Sequence, residues 1–275
     1  MTSLALRPAG LAFPILGELV ERQRALAAYG LTLLLLALLA VAMQAVDPRT
    51  LASGVGVWVK PAKFFASVGL FSLTIAWFFG YVRPERRGSW LMRGTVGMVL
   101  LAGSFELGWI VWQGANGLES HFNLDTFFYR RMFSLMGLFA MLLVGTTLPL
   151  AWEIGRRPTA GLSGDFVAAV VIGLVLTFLL GGSFGGAIAA NGGHAVGPET
   201  GAAPVFGWNR GGGDLRIAHF AGIHAMQAIP VIAAIAAGLA ARVRWLILLA
   251  GTLLYAAAAV ALYVQAVAAR PLLPL

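Results

Sequence analysis

Few groups in this sequence can do chemistry, and they stand out because almost everything around them is apolar. Glu106 interrupts the run GSFELGWIVWQ, Lys60 and Lys63 open WVKPAKFFASVGLFSLTIAWFF, and His219 and His224 lie in LRIAHFAGIHAMQAIP. An ionisable side chain within an apolar span is costly unless it is paired, neutral or facing water, so it marks a functional site by default. Glu106, His224 and Lys63 are therefore the catalytic candidates: a carboxylate, an imidazole and an amine able to exchange protons. Imidazole and carboxylate also suit zinc, iron or copper, which makes His224, Glu106 and His121 the expected metal ligands. Arg216, Phe220, His224 and Gln227 follow one another at spacings of 4, 4 and 3, which puts them on one helical face. Arg216 and Gln227 are accordingly expected to bind a ligand or cofactor beside His224, although no particular cofactor is indicated. His219 points about 140° away from His224 on a regular helix, so those two would not share one ion. Cysteine is absent, which removes thiol nucleophiles, disulfides, Cys-ligated zinc and iron–sulfur clusters.

The elements that must position these groups are membrane spans. Of 275 residues, 59% are hydrophobic and 11% charged, against about 25% charged in soluble domains. Seven apolar segments, 27–46, 58–82, 90–114, 131–152, 165–188, 216–240 and 245–268, approach or exceed the roughly 20 residues that a helix needs to cross a bilayer. The expected fold is an all-α membrane protein, a seven-transmembrane helix bundle forming one domain over 1–275. Residues 10–24 mix Leu16, Leu19 and Val20 with Glu18, Glu21, Arg22 and Arg24, the pattern of an interfacial amphipathic helix feeding the first span. A cleaved signal peptide is not expected, because the long apolar run comes late and no small-residue cleavage site closes a short one. Of the 19 Lys and Arg residues, 11 fall on the side of Arg22, Arg87, Arg157 and Arg244, and 8 on the other, where Lys60, Lys63 and Arg216 belong to helices. By the positive-inside rule the N-terminus is cytoplasmic and the C-terminus external. The net charge of +8 reflects these span-flanking residues and calls for no nucleic acid.

In this topology His121, His194, His219 and His224 all lie in outward loops or in the outer halves of spans. Glu106 and His224 each sit roughly 12 Å inside the outer end of their helix. They are expected to line one outward-facing pocket with Lys63, His121, Arg216 and Gln227. On the second span Lys60, Lys63, Ser67 and Thr74 return to one face. Lys60 is expected to snorkel to lipid headgroups and Lys63, one turn deeper, to face the interior. Pro230 is expected to kink the sixth span. Gly181 with Gly185, and Gly182 with Gly186, form overlapping G-x-x-x-G pairs, which read as close helix packing against the third or sixth span. The external loop 189–215 carries Trp208, Phe206, Asn191, Asn209 and His194, too much for a featureless linker, and reads as a structured lid or plug. Asp214, after a run of glycines, should cap the sixth helix.

Two function classes follow. One is a membrane-embedded enzyme or metal-binding protein; the other is a small-solute or proton-coupled transporter, with an assembly subunit of a membrane complex as a third reading. Transport has no inverted repeat in its support, and a retinal-type receptor lacks a lysine in the last span. The expected partners are the lipid bilayer, a small-molecule or lipid ligand and a membrane-complex partner. The segments WVKPAKFFASVGLF, WQGANGLESHFN and GGDLRIAHFAGIHAMQAIP resemble motifs of a family of uncharacterised bacterial multi-pass inner-membrane proteins, and the resemblance extends over most of the chain. It implies a location in the bacterial inner membrane and no established activity.

Overall fold

The computed structural model describes residues 14–274. Among the described residues it is an all-α protein with almost no strand, and its long helices are apolar enough to cross a membrane. Among the same described residues six are long enough singly, and there is a seventh if a bent helix pair counts as one span.

The chain begins with α1 (Pro14–Arg22), the described part of the expected interfacial helix; residues 10–13 of that expectation lie outside the described residues. Arg22, paired within α1 with Glu18 at 2.9 Å, ties α1 to the bundle by donating to the Trp77 carbonyl at 2.8 Å. Gln23 breaks the helix in an extended conformation and accepts the Leu26 N–H at 2.7 Å, which caps α2 (Arg24–Val46). α2 packs closely on α3 (Val59–Phe79) because Gly30 meets Gly69: a Cβ on Gly30 would lie 2.9 Å from the Gly69 carbonyl oxygen. After the short α4 (Pro84–Arg87) comes α5 (Trp90–Ala115), started by the Ser89 hydroxyl accepting the Met92 N–H. α6 (Phe127–Gly145) and α7 (Thr147–Arg156) make one apolar run interrupted at Thr146. α8 (Gly164–Leu176) passes through a π turn, Thr177–Gly181, into α9 (Gly182–Ala190). Two short antiparallel strands, β1 (Ala195–Val196) and β2 (Gly213–Asp214), close the loop that leads to α10 (Leu215–Ile223). α11 (Ala225–Ile235) and α12 (Ala241–Val267) complete the fold.

The sixth expected span, 216–240, is broken: α10 and α11 bend by 53° at His224, and α11 ends at Ile235. The bend falls a turn and a half before Pro230, where the kink was expected. Its cause is a partner from another span. Thr177 Oγ1 accepts the Met226 N–H at 2.9 Å and donates to the Ile223 carbonyl at 3.4 Å, taking the place of main-chain bonds the break removes. Glycine permits the approach, since a Cβ on Gly222 would lie 2.7 Å from the Gly181 nitrogen. The G-x-x-x-G glycines divide accordingly: Gly181 and Gly185 face α10, Gly182 faces Met141 of α6, and a Cβ on Gly186 would meet nothing.

The two ends of the bundle differ. At the arginine-rich end Arg86 pairs with buried Glu153 at 2.8 Å, Arg244 with Asp165 at 2.9 Å, and Arg87 donates to the Val82 and Gly80 carbonyls at 3.0 Å. Exposed Trp90, Trp152 and Trp245 ring that end, and exposed Trp112, Phe127 and Phe128 ring the other, as aromatic belts do at membrane interfaces. Trp90 and Trp112 are about 33 Å apart along α5 at 1.5 Å per residue, close to the roughly 30 Å of bilayer hydrocarbon. The main core, with Leu26, Ile75, Phe79, Met92, Leu150 and Ile154 fully buried or nearly so, lies between α2, α3, α5, α7 and α8.

Candidate functional site

The candidate site residues gather at the end opposite the Arg86, Arg87 and Arg244 cluster, around the first turns of α3. Gln44 accepts the Trp58 N–H at 2.9 Å and Asp47 accepts the Trp58 indole N–H at 2.8 Å, so the helix start is fixed from α2; Pro61 occupies the first turn, where no main-chain donor is missed. Three residues along a helix turn a side chain by about 60° from the starting direction, and here that difference sends the two lysines to different neighbours. Lys60 is half-buried against the α5–α6 loop and donates to His121 Nδ1 at 3.2 Å; Lys63 is exposed and donates to the Phe206 carbonyl at 2.8 Å. The expectation that Lys60 snorkels while Lys63 turns inward is therefore reversed. The loop folding over Lys60 comes from elsewhere in the chain and leaves no mark on the helix's own periodicity.

That loop is held by Trp109, whose indole donates to the Ser120 carbonyl at 2.9 Å, and by Gln113, which donates to the Glu119 carbonyl at 3.4 Å. His121 also lies 3.1 Å from the Ser120 hydroxyl and 6.0 Å, centroid to centroid, from Phe64. Burial, and then the adjacent Lys60 charge, push the His121 imidazole down to about 3. It is neutral at ordinary pH, with Nδ1 accepting from the lysine and the proton on Nε2. Glu106 is 3% exposed, and its Oε1 has no hydrogen-bond partner among the described residues; the Lys60 charge acts on it from α3.

On the other side of α3 stands the loop between α9 and α10. Asn209, buried, is its keystone: its N–H donates to Asp214 at 2.7 Å, its amide donates to the Pro198 carbonyl at 2.8 Å, and its side-chain oxygen accepts the N–H groups of Thr200 and Gly211. Asp214 caps α10 as expected, accepting the Arg216 N–H at 3.0 Å, and forms a two-pronged pair with the Arg216 guanidinium at 2.9 and 2.5 Å. Burial alone would raise the Asp214 carboxyl, but the Arg216 bonds and charge, with the Asn209 N–H, hold it below the usual carboxylate range. Above this base, residues 204–208 form a tip in which Phe206 and Trp208 stack at 4.6 Å, and both rings meet Phe220 edge-on. Val205 and Gly207 have left-handed φ values of 67°. Lys63 reaches the Phe206 carbonyl, and Arg216 reaches the Gly207 carbonyl at 2.6 Å.

Beneath the tip, α3 and the α10–α11 pair are bridged by side chains. Phe220 packs on the His224 ring at 4.2 Å, His224 Nδ1 lies 3.3 Å from the Gln227 side-chain oxygen, and the Gln227 amide donates to Thr74 at 3.0 Å. Lys63, Ser67 and Leu70 are exposed along the α3 face that carries Thr74, and Phe220 is exposed on α10. His219 turns away from this face, and its Nδ1 lies 3.0 Å from the Gly181 carbonyl.

The six residues expected in one pocket thus have three sets of partners. Glu106 and His121 share Lys60, Lys63 joins Arg216 at the 204–208 tip, and His224 joins Gln227 and Thr74. Among the described residues no three or more His, Asp or Glu side chains come together to hold a metal ion, so His224, Glu106 and His121 form no ligand set. Sequence reasoning missed Asn209 as the loop's anchor and Lys60 as a site residue; the glycine run 211–213, separated from Asn209 by one residue, was the local sign that the chain wraps tightly there. No protein-family model, curated protein or solved structure matches this chain.

Proposed function

We propose that this protein is a seven-span bacterial inner-membrane protein, N-terminus in and C-terminus out, that binds a small membrane-borne molecule in the groove between α3 and α10–α11. On this reading the 204–208 tip is a lid on the external side, and Lys63, Arg216, Phe220, His224 and Gln227 contact the ligand. One observation carries it: an aromatic lid seats on Phe220, on the helix face that also presents His224 and Gln227 to α3. The wall combines aromatic and aliphatic surface from Phe206, Trp208, Phe220 and Leu70 with the polar groups of Lys63, Arg216, His224 and Gln227, and apolar surface with convergent polar groups is what small-molecule sites use. The seventh span is the bent pair, and the arginine bias sets the orientation. The proposed location follows from the resemblance of WVKPAKFFASVGLF and GGDLRIAHFAGIHAMQAIP to bacterial inner-membrane proteins.

The cysteine-free chain suits a direct test. A Ser67→Cys variant carrying an environment-sensitive fluorophore, in nanodiscs, is titrated with dodecyl phosphate, dodecyl trimethylammonium and dodecyl maltoside. A saturable response to at least one amphiphile at Ser67, absent from a Leu254→Cys control on the exposed side of α12, supports the groove as a binding site. Equal, non-saturating responses at both positions overturn it.

A further inference from the structure

We infer that the ligand of this groove carries an anionic head group, which takes the Lys63 and Arg216 donors over from the lid carbonyls and so frees the lid. The inference rests on the groove being a ligand site and adds the chemical class of its occupant. The observation is a convergence. Two cations from different helices end on adjacent carbonyls of one exposed loop tip, Lys63 on Phe206 at 2.8 Å and Arg216 on Gly207 at 2.6 Å. A Cβ on Gly207 would itself lie 3.5 Å from Lys63 Nζ. Like charges oppose this arrangement, and a single carboxylate, Asp214, stands against the two of them. Asp214 is already engaged by Arg216 and by the Asn209 N–H. Lys63 therefore supplies a positive charge whose hydrogen-bond partner is a neutral carbonyl.

A hydrogen bond between an ammonium or guanidinium and a phosphate or carboxylate is stronger than one to a neutral carbonyl. An anion that reaches the tip competes favourably for both donors. The lid is built to yield there. Its base is locked by Asn209, whereas Val205, 85% exposed and in a left-handed conformation, and Gly207 make up the part that must move. The groove below offers Leu70 and Phe220 to an apolar tail, so an amphiphile with a phosphate or carboxylate head matches both ends.

The test uses full-length protein in nanodiscs of zwitterionic lipid, spin-labelled at Val205→Cys, with dodecyl phosphate, dodecyl maltoside and inorganic phosphate as probes. A parallel sample contains phosphatidylglycerol in the nanodisc. Expected is a saturable gain in label mobility with dodecyl phosphate at a roughly ten-fold lower concentration than with dodecyl maltoside, about 1.4 kcal/mol. Lys63→Gln should abolish that preference while Ser67→Cys still responds to dodecyl maltoside. Mobilisation by phosphatidylglycerol without any probe supports the inference with a lipid head group as the source; mobilisation by inorganic phosphate supports it with a free anion. Equal responses to phosphate and maltoside heads, with the Ser67 signal intact, overturn the anionic class and leave the groove standing. Loss of every saturable signal at Ser67 overturns the groove as well.

Discussion

Acidification should destabilise this protein through His121, and by a calculable amount. The imidazole is buried beside the Lys60 ammonium, and its Nδ1 accepts a hydrogen bond from it, so the folded-state value falls from 6.5 to about 3. Because the folded value is the lower one, the unfolded chain takes up a proton first as pH falls. Stability is then full above the unfolded value of 6.5 and declines from there down towards 3. Each pH unit in that window costs about 1.4 kcal/mol, so a step from pH 6.5 to about pH 5 removes about 2 kcal/mol. His121→Asn removes the titration and keeps a small polar side chain. Urea unfolding of wild type and variant in the same micelle at both pH values isolates the contribution of this one group, since every other titration is common to both. The wild type should lose about 2 kcal/mol more than His121→Asn over that step. Parallel losses in the two proteins would refute the argument and would mean that His121 is solvated well enough to accept its proton in place.

Glu106→Leu, which removes a buried acceptor without a partner, should stabilise the fold by about 1 to 3 kcal/mol in the same unfolding assay, whereas Glu106→Gln should stay within about 1 kcal/mol of wild type. A loss of stability in the leucine variant would show that the carboxyl is structurally engaged. Gly222→Leu should abolish folded yield, because the new side chain would run into the Gly181 backbone, while Gly186→Ala should leave it unchanged, as measured by size-exclusion recovery after detergent extraction. Reporter fusions after Arg87 or Arg157 should read cytoplasmic and one inside 197–207 external; an external signal at Arg157 would invert the proposed orientation.

The long apolar helices were legible in the sequence, apart from the break in the sixth expected span, because the length of an apolar run is a local property. The capping of α10 by Asp214 and the shared face of Phe220, His224 and Gln227 were legible for a similar reason, since each depends on spacings of a few residues along one helix. Other features depend on groups distant in the chain. Lys60 and Lys63 sit one turn apart with the same chemistry, yet one is covered by the loop at His121 and the other is met by the loop tip at Phe206. Helical periodicity sets the angle between them but not which neighbour arrives on each side. The break at His224 is likewise supported by Thr177, whose hydroxyl accepts the N–H of Met226, 49 residues away, where a π turn and two facing glycines let the backbones approach. Such a contact depends on how spans pack, and van der Waals fit between helices, which decides that packing, is a property of paired surfaces that neither sequence segment carries alone.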